Sequence, residues 1–360
     1  MKTLNIYVLK GFLLTFGMAI GILTFGMMGA RMVKIFDYVS QGVPLGNFFL
    51  FVLYIMPIVL TFTVPWAILV AIMLVFGRLS ADSEITAMRA CGVSILQVVS
   101  PIMIIATLMT AVCLYLQVNV GPPLLGASRQ LMKKTVIDSP TAIFAPGKPV
   151  RYENNIIYID DKKNDILQDI QIFTMSGNNK VSKDITANKG KLVLDKKAKT
   201  LSILLYDCMV IDKTSEPEIR AYSERMKFTF NYGKEFNKFE VGKRAKYMTL
   251  KELLGRMKIE KKLNRNTCDL EVELNQRIAF ALSPIAFMLL GLPLAIRTSR
   301  RETSVGLFLS VILAGLFFLS IILCESLESH PGLYPQYLLW IPNLLYQVVG
   351  ASMIFKIAKH

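Results

Sequence analysis

Six runs long and apolar enough to cross a bilayer as helices constrain this chain more than anything else in its sequence. They cover Tyr7–Ala30, Phe48–Gly77, Ile95–Val120, Ile278–Ile296, Val305–Cys324 and Leu338–Ile357. A helix needs about 20 apolar residues to cross a hydrocarbon core of roughly 30 Å. Backbone polar groups in that core must be satisfied within the protein, which favours helices for runs of this kind. The first run is longer than the ~7–15 residue apolar stretch of a secretion signal. No small-x-small cleavage site follows it, so it reads as a retained span. Pro57 and Pro65 interrupt the second run, which is expected to form one kinked helix, because neighbouring helices can satisfy the freed carbonyls. Pro101 lies near the start of the third, and Gly121, Pro122 and Pro123 are expected to close it. A turn signal around Gly42, Pro44 and Gly46 separates the first two.

Between the third and fourth runs the period changes. The chain is 53% hydrophobic, above the usual share of about 45–50%, yet the excess sits in the first third and the last quarter. The middle, from Arg129 to Asn266, carries most of the lysines. It contains AIFA, NNIIYID, DIQIFTM, GKLVLD, TLSILLYD and RMKFTFNY, short β-rich segments broken by Asn, Gly, Asp and Lys. That pattern predicts an antiparallel all-β domain with one buried face, either a sandwich or an open jelly-roll-like sheet. An amphipathic helix over Thr249–Asn266 leads back to the membrane. The expected fold is an α-helical membrane protein with six transmembrane helices (3+3) and an inserted all-β, jelly-roll-like external domain, which the resemblance given below makes periplasmic. Residues 1–123 hold spans 1–3, 124–270 the β domain with its connecting helix, and 271–360 spans 4–6.

Orientation follows from Lys and Arg in the short loops, because long domains translocate regardless of charge. With the N-terminus inside, Lys2, Lys10, Arg78, Arg89, Arg297, Arg300, Arg301, Lys356 and Lys359 are cytoplasmic. Only Arg31 and Lys34 fall in the short loops opposite, which places the β domain outside. The net charge of +15 comes with no zinc-ligand spacing, basic helix with heptads or aromatic RNA-binding signature, so an anionic membrane or lipid is the expected counterpart and nucleic acid is not. There is no P-loop, GxSxG or HExxH, and almost no ionisable residue in the spans beyond Lys10, which argues against catalysis and against an ion relay. His330 and His360 cannot make a metal site alone. Of five cysteines, Cys208 and Cys268 both fall in the polar middle, where pairing in an oxidising space stays open.

Three features could carry function. Arg78–Val93, RLSADSEITAMRACGV, is a charged segment wedged between spans 2 and 3. Ser80 or Asp82 can cap a short helix there, Asp82 and Glu84 favour its start, Arg89 its end, and Gly92 can stop it. Ile85 and Met88 share a stripe. At about ten residues it is marginal alone and needs a partner surface or the flanking helix ends, so it reads either as a docking element or as an ordinary polar loop helix. The second feature is Arg31 with Lys34, either interface anchors or contacts for the phosphates of an anionic lipid. The external β domain reads equally as receptor, scaffold or passage for an apolar ligand.

SEITAMRACGVS after the second span, ELNQRIAFALSPIAFMLLGLPLAI opening the fourth, RRETSVG before the fifth and LLWIPNLLYQVVG in the last together resemble the LptF/LptG permeases of the lipopolysaccharide exporter. The acidic head followed by RACG leans towards the LptF branch. The resemblance covers essentially the whole chain. It implies a permease without enzymatic activity or cofactor of its own, paired with a homologous second permease. A cytoplasmic ATPase dimer would bind ATP and Mg, and a single-span periplasmic bridge protein would receive the lipopolysaccharide. By matched position, Glu84 would be the acidic residue that meets the ATPase, with Ile85, Met88, Arg89 and Gly92 in the same string. Arg31 and Lys34 would face lipid A phosphates by place alone. The implied location is the inner membrane of a Gram-negative bacterium. A different lipid or lipoprotein cargo, or a non-transporting receptor or scaffold, are the rival readings.

Overall fold

The computed structural model describes residues 2–40, 45–138, 149–152, 154–163, 166–175, 181–195, 200–213, 219–230, 245–298, 303–327 and 330–359. They fall into two compact units. One holds 1–30, 52–127 and 243–360, the other 31–51 and 128–242.

The helices are α1 (Lys2–Ser40), α2 (Leu45–Ala81), α3 (Glu84–Ala90), α4 (Ile95–Tyr115), α5 (Gly121–Asp138), α6 (Leu250–Lys262), α7 (Cys268–Thr298), α8 (Thr303–Ser326), α9 (Pro335–Leu338) and α10 (Trp340–Lys359). Six stretches are long and apolar enough to cross a membrane. They are carried by α1, α2, α4 with α5, α7, α8, and α9 with α10, and are called spans 1–6. Spans 2 and 4 form the centre, with 67% and 72% of their apolar windows buried, against 22% for spans 1 and 5. Phe12, Phe76, Phe287 and Phe317 fill the core, with Phe287 and Phe317 in an edge-to-face pair at 4.8 Å. Thr24 and Thr63 meet at 3.1 Å between spans 1 and 2.

The prolines sit inside continuous helices, as expected of Pro57 and Pro65. A proline removes the N–H that would bond the carbonyl four residues back. In span 3 Pro101 strands the Gln97 carbonyl, which accepts from Ser100 Oγ at 3.1 Å. In span 4 Pro284 strands the Phe280 carbonyl, which accepts from Ser283 Oγ at 2.6 Å. Pro293 strands the carbonyl of Leu289, and there Gly350 of α10 comes so close that an added Cβ would stand 2.5 Å from the oxygen. Only a hydrogen fits there, so Gly350 lets α10 lie directly against the peptide group that Pro293 leaves unbonded.

Gly121, Pro122 and Pro123 do not close span 3. The helix widens into a π-turn over Leu116–Val120 and continues as α5. Both prolines then lie in the first turn of the new stretch, where their missing N–H groups are tolerated. The tail of the chain is pinned to span 4 through its WIPN string. Trp340 Nε1 donates to Asn275 Oδ1 at 3.1 Å and, one turn on, Asn343 Nδ2 donates to the Ala279 carbonyl at 2.7 Å.

In the second unit, β1 (Val150–Tyr152), β2 (Asn155–Lys163), β3 (Ile166–Met175), β4 (Val181–Asp195), β5 (Thr200–Asp212) and β6 (Ile219–Phe230) form one antiparallel sheet in sequential order. Of the arrangements expected, the open sheet is the one the described strands adopt. Its buried face is built from rows that cross the strands. Ile159, Ile170, Ala187 and Cys208 make one row, and Leu167, Gly190, Leu205 and Met226 another. Between these rows the alternation slips. On β3 the buried residues are Leu167, Ile170 and Ile172, and on β5 Ile203, Leu205 and Cys208. Asp169 (φ 49°) and Asp207 (φ 54°) sit at the slip in left-handed conformations. Each adds a residue between neighbouring inward positions, so apolar side chains on both sides of this crease reach the same face. All five cysteines carry free thiols, Cys208 and Cys268 included.

Candidate functional site

The segment between spans 2 and 3 forms a helix, but a shorter one with a different beginning. Span 2 runs on to Ala81, so Ser80 lies inside α2, and its hydroxyl donates to the Ile296 carbonyl at the end of span 4, 2.8 Å away. Committed to span 4, Ser80 cannot cap the next helix. Asp82 does not cap it either. The chain turns at Ser83, φ 60°, without a side-chain cap, and α3 covers only Glu84–Ala90. Its end follows the expectation. Gly92 takes φ 78° and its N–H donates to the Arg89 carbonyl at 2.9 Å, while the Val93 N–H donates to Met88 at 3.0 Å. These are the two crossed bonds of a Schellman stop, which require the left-handed residue that glycine supplies.

The five proposed docking residues divide between two faces. Ile85 is buried and Met88 packs against the bundle core, so these two seat the helix. Arg89 and Gly92 are exposed. Glu84 is half-buried, and its Oε1 lies 3.4 Å from Tyr7 Oη of span 1. The surface turned to solvent comprises Asp82, Ser83, Thr86, Ala87, Arg89, Ala90, Cys91 and Gly92, with Glu84 at its border. It is a surface of small side chains bordered by charge. Helix α1 extends through Arg31 and Lys34, but their side chains lie outside the described residues.

One polar centre was missed by reading the spans as nearly free of ionisable groups. Span 4 begins at Cys268, so Glu271, Glu273 and Arg277 belong to the spanning helix itself. Arg277 is only 2% exposed. Its Nε donates to Glu273 Oε1 at 2.8 Å, Nη1 to the Met248 carbonyl at 2.9 Å and Nη2 to the Ala245 carbonyl at 3.0 Å. All three nitrogens of the guanidinium fork thus find acceptors in fixed directions, which a lysine could not reproduce. Beside it Gln276 donates to Glu325 Oε2 at 2.8 Å, and Lys246 pairs with Glu325 Oε1. The segment entering α6 is therefore bolted to the start of span 4 and the end of span 5. A signal existed in the sequence, namely an arginine at i+4 from Glu273 on the apolar side of the helix.

A family model described as "Lipopolysaccharide export system permease LptF/LptG" matches residues 6–356, while comparison with curated proteins finds no match. The matched range reaches from within the first spanning stretch to within the last and takes in the strands between them and α3. This chain therefore belongs to the LptF/LptG family and is a multi-pass permease component for lipopolysaccharide export.

Proposed function

We propose that the chain is one half of a permease pair in the inner membrane of a Gram-negative bacterium. Its spans border a lipopolysaccharide path, and its β domain hands the lipid to a periplasmic bridge protein. A cytoplasmic ATPase dimer binds ATP and Mg, and α3 receives its movement. Each acyl methylene removed from hydrocarbon costs about 0.8 kcal/mol, so extraction of a many-chained lipid calls for coupled hydrolysis and a sheltered apolar route. The buried face of the β sheet is suited to that route.

The observation that carries this reading is the build of α3. It has an apolar side seated in the bundle, a hard stop at Gly92 and a charged, small-residue outer surface between spans 2 and 3. The contact of Ser80 with the end of span 4 ties the preceding turn to the far half of the bundle, so displacement of α3 moves both halves. The pair Arg31 and Lys34 is proposed as a contact for lipid phosphates at the opposite end of span 1.

Glu84→Arg tests the docking role. Reversing a charge at a desolvated contact costs about 2–5 kcal/mol, more than a tenfold loss of affinity by roughly 1.4 kcal/mol per decade. The nucleotide-binding subunit should fail to co-elute with the variant, with ATP-dependent lipopolysaccharide release falling in step. Unchanged co-elution and release would refute the assignment.

A further inference from the structure

Residues 128–242 belong to the unit that holds the sheet, after which the chain returns to the bundle. On its return the stretch 245–248 is gripped by span 4, span 5 and α5 together. Arg277 of span 4 donates to the carbonyls of Ala245 and Met248 at 3.0 and 2.9 Å. Lys246 pairs with Glu325 at the end of span 5. Tyr247 lies against α5, where a Cβ added to Gly126 would stand 3.9 Å from its own Cβ. The helix that leads towards the sheet and the stretch that comes back from it therefore meet at this point.

These grips differ in strength and in where they lead. The acceptors of Arg277 lie on span 4 and on the returning stretch, and a buried charged group of this kind is costly to break. Arg277 thus holds the returning stretch wherever span 5 stands. Lys246 and Glu325 form a more open pair, their side chains 52% and 28% exposed, of the kind that contributes little to folding. Glu325 also divides its carboxylate, with Oε1 on Lys246 and Oε2 accepting from Gln276 of span 4 at 2.8 Å. One side chain therefore closes the end of span 5 on both span 4 and the returning stretch. The middle of span 5 is held by rings instead. Phe317 is fully buried, edge-to-face with Phe287 of span 4 at 4.8 Å and with Tyr346 of span 6 at 5.4 Å. Glu325 lies about 12 Å further along the same helix at 1.5 Å per residue. Apolar packing is non-directional and tolerates a tilt. An ion pair and a hydrogen bond do not survive separation beyond about 4 Å and 3.5 Å.

We propose that Glu325 is a positioning residue of the transport cycle, a latch at the end of span 5. Closed on Lys246 and Gln276, it holds that end against span 4 where the chain returns from the sheet. Open, it lets the end of span 5 tilt about Phe317 while Arg277 keeps the returning stretch on span 4. The bundle can then widen at this end without loosening its hold on the chain that carries the sheet. The inference rests on the transport reading and adds to it the contact that must part in each cycle.

The purified complex, with the subunits that remain bound, would be treated with a water-soluble carbodiimide, which condenses a lysine amine with a touching carboxylate and removes one water. Joined peptides would be read by mass spectrometry without nucleotide and after trapping with ATP and vanadate. The Lys246–Glu325 amide should change at least about fivefold between the two states, on the scale of ordinary conformational coupling. The Lys261–Glu271 amide, from a pair at 2.8 Å between α6 and span 4, should stay constant. Equal yields of the Lys246–Glu325 amide in both states, or none in either, would overturn the latch. Charge exchange supplies a second arm. Lys246→Glu and Glu325→Lys each break the pair and should leave the unfolding temperature and ATP hydrolysis near those of the parent, while lipopolysaccharide released per ATP falls about tenfold. Combined in one chain they rebuild the pair in reverse and should restore release. Should either variant fail to assemble, Lys246→Met and Glu325→Gln carry the same expectation. Full release in the single variants would overturn the proposal, and so would a reversed pair that recovers nothing. A loss of release matched by a fall in unfolding temperature would make the pair a brace and overturn it too. A parent complex that hydrolyses ATP and releases no lipopolysaccharide would count against the transport reading, whereas a releasing parent with a constant crosslink counts against the latch alone.

Discussion

At the scale of single residues, Arg277 shows how much a membrane bundle can hang on one side chain. Its guanidinium is buried and satisfied by one carboxylate and two backbone carbonyls. Removing one member of such a group strands the others, at about 3–5 kcal/mol. Arg277→Ala is thus expected to lower the unfolding temperature of the purified chain sharply. Arg277→Lys should recover little, because one ammonium cannot span three acceptors in the guanidinium's geometry. Joint replacement, Arg277→Met with Glu273→Leu, should recover more than either single change, since well-packed apolar groups often match a buried pair. Thermal unfolding in detergent measures all three, and an Arg277→Ala protein that melts with the parent would sink the argument. The sequence shows Glu273 and Arg277 one turn apart beside an apolar run, and such residues normally lie outside the membrane. What it hides is that the carbonyls of Ala245 and Met248, about thirty residues earlier, come to meet the arginine.

Individual elements were legible to different depths. The number and places of the spans, though not all their ends, read cleanly because length and apolarity are local properties, and the Gly92 stop read cleanly because a left-handed turn needs little beyond the glycine. The start of α3 did not, because Ser80 is claimed by a residue of span 4 that is distant in sequence. The continuation of span 3 into α5 was also hidden, since a π-turn can place Pro122 and Pro123 in a new first turn. In the sheet, the slip in alternation at Asp169 and Asp207 is visible in ILQDIQI and LLYDCMV once one looks for two apolar residues three apart. Aspartate tolerates the left-handed conformation and a β-branched residue does not, a difference of about 1–2 kcal/mol per residue. Asp169→Val and Asp207→Val should therefore loosen β3–β5, while Asp169→Gly should be close to neutral. Asp207 also accepts from Tyr222 Oη at 2.9 Å, so Asp207→Gly loses that contact and should fall between. Amide hydrogen exchange along β3, β4 and β5 in the full chain reads this, and equal protection in the Val and Gly variants would refute the role assigned to the crease.

For the whole molecule, two native cysteines can report which end of the bundle faces the cytoplasm. Cys91 is exposed at the end of α3, and Cys208 is buried in the sheet. Burial, with the Asp207 carboxylate next to it, pushes the Cys208 thiol above its ordinary value of 9.0. An acid whose folded pKa is raised holds its proton more tightly in the folded state. The stabilisation linked to the protonated thiol is then complete below the ordinary value and declines as pH rises through the shifted one. Burial therefore keeps Cys208 unreactive at pH 8 in two ways, by denying access and by disfavouring the thiolate. Charge counting puts α3 in the cytoplasm and the sheet outside. In spheroplasts, a membrane-impermeant maleimide should leave Cys91 unlabelled until the membrane is permeabilised. A cysteine placed at the exposed Lys189 of β4 should label at once in a Cys208→Ser background. Native Cys208 should label only slowly, and faster as the pH is raised past 9.0. Labelling of Cys91 in sealed spheroplasts, with the Lys189→Cys protein silent, would invert the topology and with it the side on which an ATPase could reach α3.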